Sequence, residues 1–156
     1  SQEISNEAAL LALKLIETFE LTGLLAVEMF IDQNDKIFIN EVAPRPHNSG
    51  HQTIESAFTS QYEQHLRAIL GFPLGSTKLI SPSVMINLLG EPGFEGTPLY
   101  EEMSKCLAIE GVNIHFYGKN ETRPFRKMGH VTIIDSNLEN AKNKTKFVQQ
   151  TLKIKS

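Results

Sequence analysis

Pro44, Pro46 and Gly50 fall within seven residues, so the stretch from Ala43 to Gln52 can be neither helix nor strand. The residues before it are patterned in the opposite way. Leu24 to Ile31 is rich in aliphatic side chains, Asp32-Gln33-Asn34-Asp35 is a polar break, and Lys36 to Val42 resumes a strand-like run. This is the signature of a β-hairpin. A hairpin that delivers the chain straight into a stiff, irregular loop is the fixed point around which the rest must fold.

Side chains alternate along a strand. Leu24, Ala26, Glu28 and Phe30 therefore share one face, as do Ile37, Ile39 and Glu41 in the second run. Closed symmetrically about Asn34-Asp35, the hairpin sets Glu28 opposite Glu41, with Cβ atoms about 4.5–5.5 Å apart. Like charges so placed destabilise a sheet unless a cation lies between them, and Mg²⁺ takes such carboxylates together with phosphates and water. The competing arrangement is a one-residue bulge that separates the acids and leaves both in solvent. Phe30 serves either as core or as support for a nucleotide base.

The loop is the densest polar stretch of the chain: Asn40-Glu41-Val42-Ala43-Pro44-Arg45-Pro46-His47-Asn48-Ser49-Gly50-His51. Its prolines lower the entropy lost in presenting Arg45 and His47 in a fixed direction. Arg45 offers a planar fork for phosphate or carboxylate, and His47 can donate hydrogen bonds or move a proton near neutral pH. A helical His47/His51 metal pair is not expected between Pro46 and Gly50.

Around this centre, residues 5–21 read as a helix capped by Ser5, with Leu11, Leu15 and Phe19 at helical spacing. Residues 54–70 read as a second, with Phe58, Tyr62, Leu66, Ile69 and Leu70 on one face. Gly71 to Ser81, with its Gly, Pro and Ser, is a boundary. Beyond it come strands at Ser83 to Leu89, Asn113 to Tyr117 and His130 to Ile134, a helix over 98–109 and a polar helix over 137–151. The expected fold class is α+β, with domains at 1–72 and 82–156 joined by 73–81.

Composition sets the limits. No apolar run reaches the ~20 residues needed to span a bilayer, and no membrane partner is expected. The single cysteine, Cys106, rules out an internal disulfide and a cysteine-based zinc site, which fits a reducing, cytoplasmic setting. A net charge of −3 argues against general nucleic-acid binding. Lys119, Arg123, Arg126 and Lys127 nevertheless fall within nine residues. They form either a solvated basic loop or a site for a phosphorylated small molecule. Cys106, His65 and His115 are assigned no chemistry.

Glu28-Met29-Phe30, thirteen residues before Glu41 in the Pro-Arg-Pro-His loop, resembles the end of an ATP-grasp domain. Tyr117-Gly118-Lys119 and Arg126-Lys127-Met128-Gly129-His130 resemble the C-terminal signature of one ATP-grasp family, the 5-(carboxyamino)imidazole ribonucleotide synthases of purine biosynthesis. The resemblance covers essentially the whole chain. It implies the C-terminal half of an ATP-grasp domain followed by a small β-rich domain, from a ligase that uses ATP, Mg²⁺, bicarbonate and 5-aminoimidazole ribonucleotide. Glu28 and Glu41 would hold the metal, Asn40 would contact the nucleotide, and Phe30 would pack near the adenine. Arg45 and His47 would be catalytic, with Asn48 and Ser49 lining the substrate pocket. Lys119 and Arg126, with Lys127, would clamp the ribonucleotide phosphate. The family's second metal Glu is followed here by Ala43 where many ATP-grasp enzymes have Asn, so no third protein ligand is assigned. The Gly-rich loop and lysines that grip ATP in such enzymes would lie upstream of Ser1. The resemblance thus implies an inactive fragment in isolation and a homodimer for the full-length enzyme. Two rivals remain at this point. The formate-dependent glycinamide ribonucleotide transformylases share the Glu…Glu-x-x-Pro-Arg-Pro-His layout, and a non-catalytic subunit would only bind a partner.

Overall fold

The computed structural model describes all 156 residues. They form two compact units, 1–50 with 59–77 and 51–58 with 78–156.

In the first unit, helix α1 (Gln2–Thr18) begins three residues before the expected start, because Ser1 rather than Ser5 caps it: its hydroxyl accepts from the Ile4 amide. Phe19 is the C-cap and is exposed, not part of a packed stripe. Strands β1 (Ala26–Ile31) and β2 (Ile37–Ala43) form the expected antiparallel hairpin. Its turn leans on Asp32, whose carboxylate accepts from the Asn34 and Lys36 amides. The loop then makes one 3₁₀ turn, Asn48–Gly50.

The helix expected over 54–70 is two pieces, α2 (Thr53–Ser56) and α3 (Gln61–Ile69). Ala57 between them is extended, and the Phe58 amide is donated to Lys78 O instead of back into a helix. Ser60 restarts the helix by accepting from the Glu63 amide, the N-terminal half of a capping pattern that helical periodicity alone conceals. The side chains expected to share a packed face, Phe58, Tyr62, Leu66, Ile69 and Leu70, are all exposed.

In the second unit, β3 (Ser83–Leu89), β5 (Val112–Phe116) and β6 (Lys127–Ile134) make an antiparallel sheet in the order β3-β6-β5. The helix expected over 98–109 is instead a short strand, β4 (Leu99–Glu101), and a five-residue helix, α4 (Met103–Leu107). Glu102 between them adopts a left-handed conformation that stops any longer helix. β4 pairs with β7 (Lys153–Lys155), which follows α5 (Leu138–Thr151).

The three-stranded sheet has two unlike faces. Val84, Ile86, Leu88, Val112, Ile114, Val131 and Ile133 pack into a hydrophobic core that also contains Ala141 and Val148 of α5 and Cys106 of α4. The opposite face carries Asn87, His115, His130 and Thr132, and residues 51–58 lie on it through Gln52, Glu55 and His51. No helix is long and apolar enough to cross a membrane.

Candidate active site

The register of the hairpin decides the acidic site. Ala26↔Ala43, Val27↔Val42 and Glu28↔Glu41 pair as symmetric closure requires, but beyond Glu28 the register shifts, so Met29 faces Ile39. Asn40 is the extra residue of a bulge. The bulge does not separate the acids. It gathers a third polar side chain against them, and Asn40 Nδ2 donates to Glu28 Oε2 at 3.5 Å. Phe30 follows two residues after Glu28, largely exposed and paired with Phe38.

His47 reaches the same point from the loop. One ligand atom each from Glu28, Glu41 and His47 lie within 4.8 Å of one another. His47 Nε2 stands 3.3 Å from Glu28 Oε1, and His47 Nδ1 is 3.0 Å from Ser49 Oγ and 3.5 Å from the Ser49 amide. An amide can only donate, so Nδ1 is the acceptor and Nε2 carries the proton directed at Glu28. The donor set fits a hard cation. Two carboxylates converge at the surface with no Lys or Arg neutralising them, and the oxygen preference of Mg²⁺ leaves His47 as a hydrogen-bond donor to Glu28.

Gln61 fixes His47 from behind and was not singled out in the sequence. Buried at the start of α3, it accepts from the His47 amide and donates to the His47 carbonyl, both at 2.9 Å. Gly50 passes so close that a Cβ there would meet Gln61 Oε1 at 2.4 Å. Arg45 is exposed; its guanidinium donates to Pro46 O and takes part in no ion pair. Asn48 and Ser49 lie in the 3₁₀ turn beside His47. His65 plays a purely structural part, its Nδ1 accepting from the Leu24 amide at 3.0 Å.

The basic cluster lies in the second unit. Lys119 Nζ sits on the carbonyl of Lys127 and 5.9 Å from the centre of the Tyr117 ring. Arg126 donates to Glu121 O at 3.0 Å and, with Arg123, Glu95 and Glu121, lines a hollow of about 460 Å³. None of Lys119, Arg123, Arg126 and Lys127 is in an ion pair, so their charge is free to meet an anion.

The Met-Gly-His signature has a structural reason at each position. Met128 is wholly buried in the core. A Cβ on Gly129 would meet His115 O at 2.2 Å, so only glycine lets β5 approach so closely there. His130 faces His115 across that pair and stacks on it, with centroids 4.5 Å apart and 13° between planes. It also stacks on His51 at 4.7 Å, and its Nδ1 is 3.0 Å from Tyr117 Oη. Burial, then the neighbouring His115 and His51, push its pKa down to about 4, so it is neutral at physiological pH.

Comparison with known proteins agrees with this layout. The ATP-grasp domain profile matches residues 1–62, and that of the phosphoribosylaminoimidazole carboxylase C-terminal domain matches residues 83–144. The N5-carboxyaminoimidazole ribonucleotide synthase of Bacillus subtilis is 47% identical over 131 residues, which cover 84% of this chain and 33% of that protein. The crystal structure of N5-carboxyaminoimidazole ribonucleotide synthetase from Thermotoga maritima superposes with a TM-score of 0.94 at 49% identity, over 100% of this chain and 43% of that one. The N5-carboxyaminoimidazole synthase of Aspergillus clavatus, solved with ADP and 5-aminoimidazole ribonucleotide, gives 0.82 at 34% identity, over 96% of this chain and 40% of that one. The chain thus spans between a third and about two-fifths of the length of these relatives. The C-terminal match and these neighbours do not favour the transformylase alternative. From the hairpin carboxylates to the Met-Gly-His strand, this chain belongs to the ATP-grasp family, in the branch defined by the phosphoribosylaminoimidazole carboxylase C-terminal domain.

Proposed function

We propose that this chain is part of an ATP-dependent carbon–nitrogen ligase that carboxylates the exocyclic amine of 5-aminoimidazole ribonucleotide in purine biosynthesis. The observation that carries the reading is the bulge at Asn40, which keeps Glu28 opposite Glu41 and brings His47 within ligand distance of both. Residues 1–72 act as the C-terminal half of the ATP-grasp domain, 73–81 as connector and 82–156 as the substrate-phosphate domain. The enzyme is cytoplasmic and a homodimer, as the family resemblance implies.

In this reading a bicarbonate oxygen attacks the γ-phosphorus of ATP, releasing ADP and forming carboxyphosphate. The substrate amine then takes the carboxyl group, directly or as carbon dioxide, and phosphate leaves. Phosphoryl transfer is catalysed mainly by positioning and charge neutralisation, and those are the tasks these side chains suit. Glu28 and Glu41 would hold Mg²⁺, which supplies charge neutralisation to the ATP phosphates when bound. Asn40 and Phe30 contact the nucleotide. Arg45 meets the carboxyphosphate oxygens with its unpaired guanidinium. His47 donates through Nε2 and, with Arg45, orients the amine, while Asn48 and Ser49 line the substrate pocket. Lys119, Arg126 and Lys127 receive the ribonucleotide phosphate. The 156 residues contain no Gly-rich phosphate loop, so alone they do not turn over.

The test is made in the full-length enzyme. Glu41→Gln abolishes ATP cleavage with the melting temperature retained, and Lys119→Ala raises the KM for the ribonucleotide while leaving that for ATP in place. Near-normal ATPase activity in the first variant, or an effect of the second on ATP alone, overturns the reading.

A further inference from the structure

The proposed chemistry gives no role to the three stacked imidazoles of the second unit, His51, His115 and His130. Their placement is specific. Lys119 lies near the Tyr117 ring; Tyr117 Oη meets His130 Nδ1 at 3.0 Å; the His130 ring stacks on His51 at 4.7 Å. His51 is the residue that covalently follows Gly50, where the Pro-Arg-Pro-His loop ends. His130 cannot drift within this array. It is 2% exposed, sits on the central strand β6 and stacks on His115, whose Nε2 is 2.6 Å from Glu55 Oε1. Glu55 belongs to the same 51–58 segment as His51, so that segment is held to the sheet at two points four residues apart.

We infer that Tyr117, His130 and His51 are positioning residues that tie the segment beginning at His51, into which the Arg45–His47 loop runs along the chain, to the cation that receives the substrate phosphate. Neither end of the array needs to move far for the tie to matter. A bound phosphate holds Lys119 against Tyr117, and through the stack it shares one support with His51, the residue that follows the loop. Orientation errors of about 1 Å at reacting groups cost on the order of 10²-fold in rate. The purpose of the array is to make carboxylation wait for a correctly seated ribonucleotide. The three residues touch no reacting atom, so their loss weakens the coupling between phosphate binding and turnover and leaves ATP binding intact.

This inference rests on the proposed role of Lys119 as a phosphate ligand, and a double-mutant cycle in the full-length enzyme separates the two. His51→Ala and Tyr117→Phe are each combined with Lys119→Ala, and kcat and KM are measured for carboxylation and for ATP cleavage. The expected result is a lowered carboxylation kcat in each single variant, an unchanged ATP KM, and a shortfall from additivity of about three- to tenfold in the double variants. His51→Phe, which keeps a flat ring in the stack, recovers most of the His51→Ala loss. Should His51→Ala fail to fold, as judged by circular dichroism, Tyr117→Phe carries the cycle, since it removes a single oxygen. Additive double variants, or His51→Phe no better than His51→Ala, overturn the inference. Those outcomes alongside a raised ribonucleotide KM in Lys119→Ala leave the proposed function standing. An unchanged KM in Lys119→Ala removes both.

Discussion

The two compact units carry their candidate sites on unlike foundations. All ten buried residues of the hydrophobic core belong to the second unit, whereas Ile37 is the sole buried apolar side chain of the first. The first unit instead exposes Leu10 and Leu13 on α1, and Phe30, Ile31, Phe38 and Ile39 on a hairpin of two strands. A lone two-stranded hairpin is marginal in water. The acidic site at Glu28 and Glu41 is therefore built on a scaffold whose apolar faces need cover from other polypeptide. The basic site at Lys119 is built beside a complete core. What differs is the source of rigidity: a packed core beside the basic cluster, and no comparable core beneath the acidic one.

The largest expected effect tests that contrast directly. Ile133 is fully buried in the core, and Ile133→Ala should lower the unfolding free energy of the chain by about 2–5 kcal/mol in urea titrations. Leu13, 55% exposed, should cost under about 0.5 kcal/mol on the same change. In the full-length enzyme the Leu13→Ala cost should rise severalfold. Equal costs in the two settings would mean that nothing covers this face, and the comparison would fail.

The second unit should also respond to acid in two separable windows. His130 titrates near 4 in the folded chain against an ordinary 6.5, so the unfolded state takes up the proton first as pH falls. Its contribution is complete above pH 6.5 and is lost between 6.5 and about 4, a loss on the order of 3 kcal/mol. Asp135 is held near 2, first by its hydrogen bond with Lys144 and then by the Asn137 amide, so its contribution is lost only as pH falls from about 4 toward 2. Urea midpoints measured against pH should show both slopes, and His130→Asn should flatten the upper one alone. An unaltered slope in that variant would assign the upper window to another group.

How much of this was legible depended on whether the signal was local. Strand alternation and the turn at Asp32–Asp35 were enough to oppose Glu28 and Glu41, and β3 begins and ends where its side chains say it should. A bulge is one way for such a hairpin to close, but its position is not readable, because Asn40 gives no local sign that it is the unpaired residue. Helical periodicity misled over 54–70, where the Phe58 amide is claimed by Lys78, twenty residues away. The same holds for 98–109, where β4 exists only because β7 pairs with it. His115 and His51 gave no signal either, since their stacking on His130 is a property of sheet register and of residues 51–58 lying on the polar face.

Gln61 offers the smallest and most discriminating test, because it asks whether the first unit holds any part of its site by itself. Its amide satisfies both backbone groups of His47 from a buried position. In Gln61→Leu the side chain keeps its bulk but can neither donate nor accept, leaving the His47 N–H and C=O without that partner. One such group left unpaired costs about 1–3 kcal/mol where water cannot reach it, and less where it can. The melting temperature should therefore fall modestly. The more telling change is at His47, whose Nε2 would no longer be aimed at Glu28 by a fixed backbone, so in the full-length enzyme carboxylation should slow more than ATP cleavage. A variant with lowered stability but an unchanged ratio of the two rates would show that the loop prolines alone orient His47. A changed ratio would show that the otherwise coreless unit has one rigid element of its own, and that it is spent on this histidine.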